Sequence, residues 1–142
     1  MLTSARNQLS GKVSAIEQGA VNDEVEITLA DGQKIVAVVT RSSTKALNLE
    51  IGTEAFALVK ASWVILLAAA SGVRLSARNQ LGGKVRNIAP GAINSEVTVE
   101  LPGGGEIVAM ITNDSVGNLG LAPGVAVTAA FKASSVLVGV KA

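Results

Sequence analysis

The sequence predicts an all-β protein made of two tandem five-stranded small barrels of the oligonucleotide-fold (OB-like) type. Three observations point there. The chain is 49% apolar, yet it holds two Phe, one Trp and no Tyr, so its apolar side chains are nearly all aliphatic. Val and Ile favour strands, and the 15 glycines favour the turns between them. The chain is also written twice: residues 4–66 align with residues 76–138 at a constant offset of 72, and 30 of those 63 positions are identical.

Each copy carries the same order of elements. Lys12 to Ile16 alternates apolar and polar residues, and Glu24 to Leu29 repeats that alternation, as half-buried strands do. Asp31-Gly32 is a short-turn signal, matched by Pro102 to Gly105 in the second copy. Lys34 to Val39 is a denser apolar run, expected to be buried on both faces. Ser42 to Leu49 has room for one or two helical turns. The matching Asp114 to Leu121 contains Gly117 and Gly120, which weaken a helix. Glu54 to Ala61 and Trp63 to Leu67 complete five strands. The expected division is residues 1–67, a linker at 68–75, and residues 76–142. Units this small bury little surface alone, so a homo-oligomer is expected.

Composition closes several routes to function. Without Cys or His there is no thiol nucleophile, no His-based triad, no His/Cys zinc site and no disulfide framework. The formal net charge is +1. Residues 1–71 carry 6 basic and 7 acidic side chains and residues 72–142 carry 6 and 4, so neither half is a polycation suited to nucleic acid. Stacking aromatics for single strands are lacking too. No secretory signal is visible, and the apolar run Ala61 to Ala70 is too short to span a bilayer. A cytoplasmic location is the default expectation. The acid pair Asp23-Glu24 becomes Ser95-Glu96 in the second copy, which reads as a solvated face and not as a general acid/base pair; no enzyme is expected.

The candidate binding residues are donors and cations. Ser4, Arg6 and Asn7 precede the first strand, and Ser76, Arg78 and Asn79 stand at the matching place. Arg offers a rigid fork of donors, or it ties the segment to a neighbouring strand together with Asn. Lys60-Ala61-Ser62 and Lys132-Ala133-Ser134 join strands four and five, followed by Trp63 in one copy and Ser135 in the other. Thr40 with Ser43, and Thr112 with Ser115, keep their hydroxyls while the residues between them change; they cap a helix or donate to an anion. Such a set suits a tetrahedral oxyanion better than a divalent cation, which asks for carboxylates.

The recurring Ser-Ala-Arg-Asn-Gln-Leu, the Gly-Ala after the first strand, Thr-x-x-Ser and Lys-Ala-Ser resemble the Mop domain, a TOBE-like domain of bacterial molybdate-binding proteins. Two copies in tandem resemble the di-Mop molbindins over essentially the whole chain. The resemblance implies a homotrimer that binds molybdate, and tungstate as its analogue, for intracellular molybdenum storage and homeostasis. It implies one class of site from Ser4, Arg6, Asn7, Lys60, Ala61 and Ser62 with Thr112 and Ser115 of another domain. Ser76, Arg78, Asn79, Lys132, Ala133 and Ser134 with Thr40 and Ser43 form the matching half. A second class is expected at Gly19-Ala20 and Gly91-Ala92 by backbone donors. Three residues precede the first motif, too few for a helix-turn-helix or ATPase segment. Storage is therefore expected ahead of a sensing or delivery module working with a transporter, regulator or cofactor-synthesis partner.

Overall fold

The structure, a computed structural model, describes residues 3–69 and 71–142. Met1, Leu2 and Ala70 of the expected linker lie outside the described residues. The first copy runs β1 (Asn7–Gln18), β2 (Asn22–Leu29), β3 (Lys34–Thr40), α1 (Arg41–Ala46), β4 (Glu54–Val59) and β5 (Ile65–Ala68). The second runs β6 (Asn79–Pro90), β7 (Asn94–Glu100), β8 (Glu106–Thr112), α2 (Asn113–Asn118), β9 (Ala126–Phe131) and β10 (Leu137–Gly139). A short 3-10 turn, Ala61–Trp63 or Ala133–Ser135, precedes the last strand of each copy.

The described strands form two five-stranded antiparallel sheets, ordered β10-β4-β1-β2-β3 and β5-β9-β6-β7-β8. The fifth strands are therefore exchanged. Sequence order suggests that Trp63 to Leu67 completes the first barrel, but β5 pairs with β9 and β10 pairs with β4. The cause lies in the 3-10 turns. Ala61 and Ala133 are buried, and the two turns pack on β8 and β3 of the opposite half. Each turn delivers the following strand to the neighbour's edge. Since the copies present equivalent edges, Leu137 opposite Leu58 repeats Ile65 opposite Ala130 at the 72-residue offset. β3 then approaches β10, and β8 approaches β5, which nearly closes each sheet into a barrel. Ala68, placed at the head of the expected linker, is the last residue of β5.

β1 is longer than the alternation alone suggests because it serves two partners. Asn7 to Lys12 pairs with β4, and Gly11 to Gln18 pairs with β2, with a register shift between Val13 and Ala15. β6 repeats the shift between Val85 and Asn87. Such a bulge bends a strand and lets it turn the corner of a barrel. β3 is buried on one face, at Ile35 and Ala37, while Val36 and Val38 are half-buried. Burial on both faces does not occur in β3, whereas the matching β8 is buried at Ile107, Val108 and Ala109 in succession.

Both helices form, although Gly117 lies in α2. Thr40 and Thr112 cap them, each accepting a bond from a Ser backbone N–H at 3.1 Å. The chain then enters the left-handed region at Asn48 (φ 51°) and at Gly120 (φ 61°). Gly120 ends a helix instead of weakening one.

One apolar core runs through both halves, from Val25, Ile27 and Ile35 to Leu81, Ile107 and Phe131. The halves are related by an approximate two-fold, which requires equivalent residues to meet at its axis. Asp31 and Gly103, 72 residues apart, do so: a Cβ built on Gly103 would lie 2.4 Å from the Asp31 Cβ. Two side chains cannot fit, and the repeat breaks its identity there. Burial alone would raise the Asp31 carboxyl. Hydrogen bonds from the Gln33 side chain and backbone and from the Gly103 N–H outweigh it and hold Asp31 below its ordinary value.

Candidate functional site

The repeated hexapeptide divides its work residue by residue. Leu9 and Leu81 enter the core. Gln8 and Gln80 donate back to the carbonyls of Ala5 and Ala77 at 3.2 and 3.0 Å, which shapes the entry to β1 and β6. Asn7 and Asn79 are buried, and both ends of each amide are engaged by the opposite half. Asn7 Nδ2 donates to the Val108 carbonyl at 2.9 Å, and its Oδ1 accepts from the Val108 N–H at 2.6 Å. Asn79 does the same to Val36, at 2.8 and 2.7 Å. An amide side chain carries the donor and acceptor of a peptide group, so each Asn supplies the sheet-end strand with one rung of a missing ladder. Ser4 and Ser76 stay exposed.

Arg6 and Arg78 also reach across. Arg6 Nη1 lies 2.5 Å from Glu96 Oε1, and Arg78 Nη1 lies 2.5 and 3.0 Å from the two carboxylate oxygens of Glu24. Hydrogen bonding first and charge second raise the Arg6 guanidinium above its ordinary value, so it is a fixed cation. These carboxylates are the functional candidates that the sequence reading missed. Glu24 and Glu96 are part-exposed, but each is held by an arginine of the other half. A signal was present, because Glu24 is the one acidic residue of 4–66 that remains acidic at the 72-residue offset. Asp23, assigned to the same face, is buried and lies 3.9 Å from Arg41 Nε.

The lysines stand beside these arginines. Asn7 pairs with Val59 and Asn79 with Phe131, so one residue further along the register sets Arg6 opposite Lys60 and Arg78 opposite Lys132. Lys60, Ser62, Lys132 and Ser134 are exposed, while Ala61 and Ala133 are buried and anchor the turns. Lys60 Nζ lies 5.2 Å from the centroid of the Trp63 ring, a cation–π contact that Ser135 cannot give Lys132. The structure thus brings Arg6, Asn7 and the Lys60–Ser62 turn together on β7 and β8, and Arg78, Asn79 and the Lys132–Ser134 turn together on β2 and β3.

Thr40 and Thr112 close β3 and β8, the strands these clusters pack on. Their hydroxyls are occupied by capping, since each accepts from a Ser N–H and donates to Ser43 Oγ at 2.9 Å or Ser115 Oγ at 2.8 Å. Gly19-Ala20 and Gly91-Ala92 form the tips of the β1–β2 and β6–β7 hairpins. The Gly19 N–H donates to the Asn22 carbonyl at 3.0 Å, and the Gly91 N–H to that of Asn94 at 2.7 Å, so the glycine donors are engaged within the turns. The Arg41 N–H bonds to the Val21 carbonyl, which puts tip and helix start at one end of the barrel.

A family model described as TOBE domain matches residues 3–66 and again residues 75–138. The chain belongs to the TOBE domain family. Among solved structures, one of the cytoplasmic molybdate-binding protein ModG with molybdate bound matches 99% of this chain and 100% of its own, at 52% identity and a TM-score of 0.96. The molybdenum transport protein ModE of Herbaspirillum seropedicae is 46% identical over 99% of this chain and 52% of its own length. The molybdenum-pterin-binding protein MopA of Rhodobacter capsulatus is 46% identical over 96% of this chain and 52% of its own. The chain thus spans about half the length of these two curated relatives. No helix among the described residues of this TOBE pair is long and apolar enough to cross a membrane.

Proposed function

We propose that this chain binds molybdate, with tungstate as an analogue, reversibly and without catalysis, as an intracellular store and buffer of molybdenum in the cytoplasm. The observation that carries the reading is the likeness to ModG along its full length, at 52% identity, in a structure that holds molybdate. The site chemistry supports it. Arg6 with Lys60, and Arg78 with Lys132, are paired cations kept in both copies, beside serines and backbone N–H groups. Two cations match the charge of a tetrahedral dianion, and hydroxyl and amide donors match its oxygens.

In this reading Ser4, Arg6, Lys60, Ala61 and Ser62 contact the anion with Thr112 and Ser115 of another domain. Ser76, Arg78, Lys132, Ala133 and Ser134 act with Thr40 and Ser43. Asn7 and Asn79 hold the strands that carry the site. Any second class at the hairpin tips would use the Ala20 and Ala92 N–H groups. The sites are completed in a homotrimer of two-domain chains, residues 1–67 and 76–142 forming the repeated units. Supporting the trimer, Val21 with Ile93 and Ile65 with Leu137 are repeat-related apolar side chains that are 71%, 74%, 59% and 64% exposed in the single chain.

Native mass spectrometry with and without molybdate, followed by calorimetry, tests this: a trimer that gains several oxyanions is expected. A protein that takes up none overturns the reading. A second reading, a sensing or delivery module, is favoured by the ModE relatives, of which this chain matches about half. Molybdate-dependent capture of a regulator, a transporter ATPase or a cofactor-synthesis enzyme would support it over storage.

A further inference from the structure

Each cation cluster contains one acid for which oxyanion binding has no evident use. Of the seven acidic residues in 4–66, six become uncharged at the 72-residue offset, and Glu24 alone stays acidic, as Glu96. The charges kept beside it are those of the clusters, Arg6 and Lys60, together with Lys12. Glu96 and Glu24 are bound to the cluster arginines, reciprocally across the two halves, at 2.5 Å.

The register explains why an acid is needed there. The ladders end at Asn7–Val59 and Asn79–Phe131, so Arg6 and Lys60, and Arg78 and Lys132, are the next residues beyond adjoining strand ends, and like charges held side by side repel. An empty site therefore holds two neighbouring cations that call for a counter-charge. Charge counting then separates the empty and loaded states. Two cations and a dianion sum to zero. The same set with a carboxylate still on the guanidinium sums to minus one, with two anionic groups competing for one fork of donors.

We propose, on the basis of the oxyanion reading above, that Glu96 and Glu24 are the resident counter-anions of the empty sites: each carboxylate neutralises its arginine until the oxyanion replaces it, and this exchange sets the affinity. The pair is built to part. Its side chains are 51% and 31% exposed at Arg6–Glu96, so the released carboxylate passes into water. The neighbouring Asn7 and Asn79 are buried and doubly bonded, and they keep the strands in place while the carboxylates move. Glu24 and Glu96 are thus affinity-setting residues that need make no contact with the bound anion.

Calorimetric titration of the full chain with sodium molybdate tests the exchange. E24Q/E96Q keeps the shape of the side chain and removes its charge. Molybdate binding should tighten on the order of fivefold at low salt, while the melting temperature of the anion-free protein falls. E24D/E96D, which keeps the carboxylate, should stay near the parent affinity. Should the double variant fail to fold, E24Q and E96Q singly should each tighten half of these sites. R6A/R78A reports separately on the underlying reading and should weaken binding. Molybdate binding that weakens in R6A/R78A but is unchanged or weaker in E24Q/E96Q overturns the counter-anion role alone. Binding indifferent to R6A/R78A overturns both.

Discussion

The first and second halves differ at polar pairs that each makes within itself and agree at the side chains that reach from each cation cluster to the other half. In the first half, Asp23 is buried at the start of β2, beside Arg41 at the start of α1. In the second, the same two positions hold Ser95 and Asn113, joined by a 2.5 Å hydrogen bond. A charged pair has been replaced by a neutral pair in the same place. Trp63 under Lys60 has likewise become Ser135. By contrast Arg6, Asn7, Glu24, Val36, Lys60 and Ala61 all recur unchanged, and all belong to the contacts between halves or to the cation clusters on them. A contact within one half is free to change when its two members change together. The Arg–Glu and Asn–Val contacts between halves are each made twice with their roles reversed, so both copies must suit both roles, whereas Asp31 and Gly103 meet once and need not match.

The largest effect should come from cutting the exchanged strand. Ending the chain at Val136 removes β10 and the half-buried Val138 and Val140, at about 4 kcal/mol. Hydrogen exchange should then show lost protection at Phe56 and Leu58 in β4, in the first half, although the cut lies in the second. Loss confined to β9 would break the exchange. Next, N7A and N79A each leave a strand N–H and carbonyl unpaired at Val108 or Val36, costing about 3 kcal/mol apiece in denaturant unfolding. The two values should agree within about 1 kcal/mol; a wide gap would show that the halves do not depend on each other equally.

Smaller effects test the drifting pairs. R41N leaves the buried Asp23 carboxylate without its cation and should cost about 1–2 kcal/mol, most of it recovered in D23S/R41N. Absence of recovery would mean that the charged and neutral pairs are not interchangeable. The smallest effect concerns the two-fold axis. Because the folded Asp31 lies below its ordinary value of 3.8, its contribution is complete above that value and is lost as pH falls through the lower folded value. D31N should therefore flatten the acid limb of a stability–pH profile below about pH 4 and leave its shape at neutral pH unchanged.

Much of the architecture is legible in the residues. The alternation in Glu24 to Leu29 places β2, with Val25, Ile27 and Leu29 inward, and Asp31-Gly32 places its turn. Legibility fails where a residue's role depends on something remote. Asn7 reads equally as ligand or tie, because Val108 is 101 residues away. Glu96 looks solvated because its partner, Arg6, is in the other copy.

By itself the sequence determined that this is a β protein of two undersized repeated units, since the 72-residue offset and the period-two alternation are read from residue order alone. The tertiary structure alone decided which sheet each fifth strand joins and which acid faces each arginine. The two copies offer nearly equivalent edges and nearly equivalent acids, so local preference cannot choose between them. The choice is made by the buried turns at Ala61 and Ala133, which pack on the opposite half and carry the chain across.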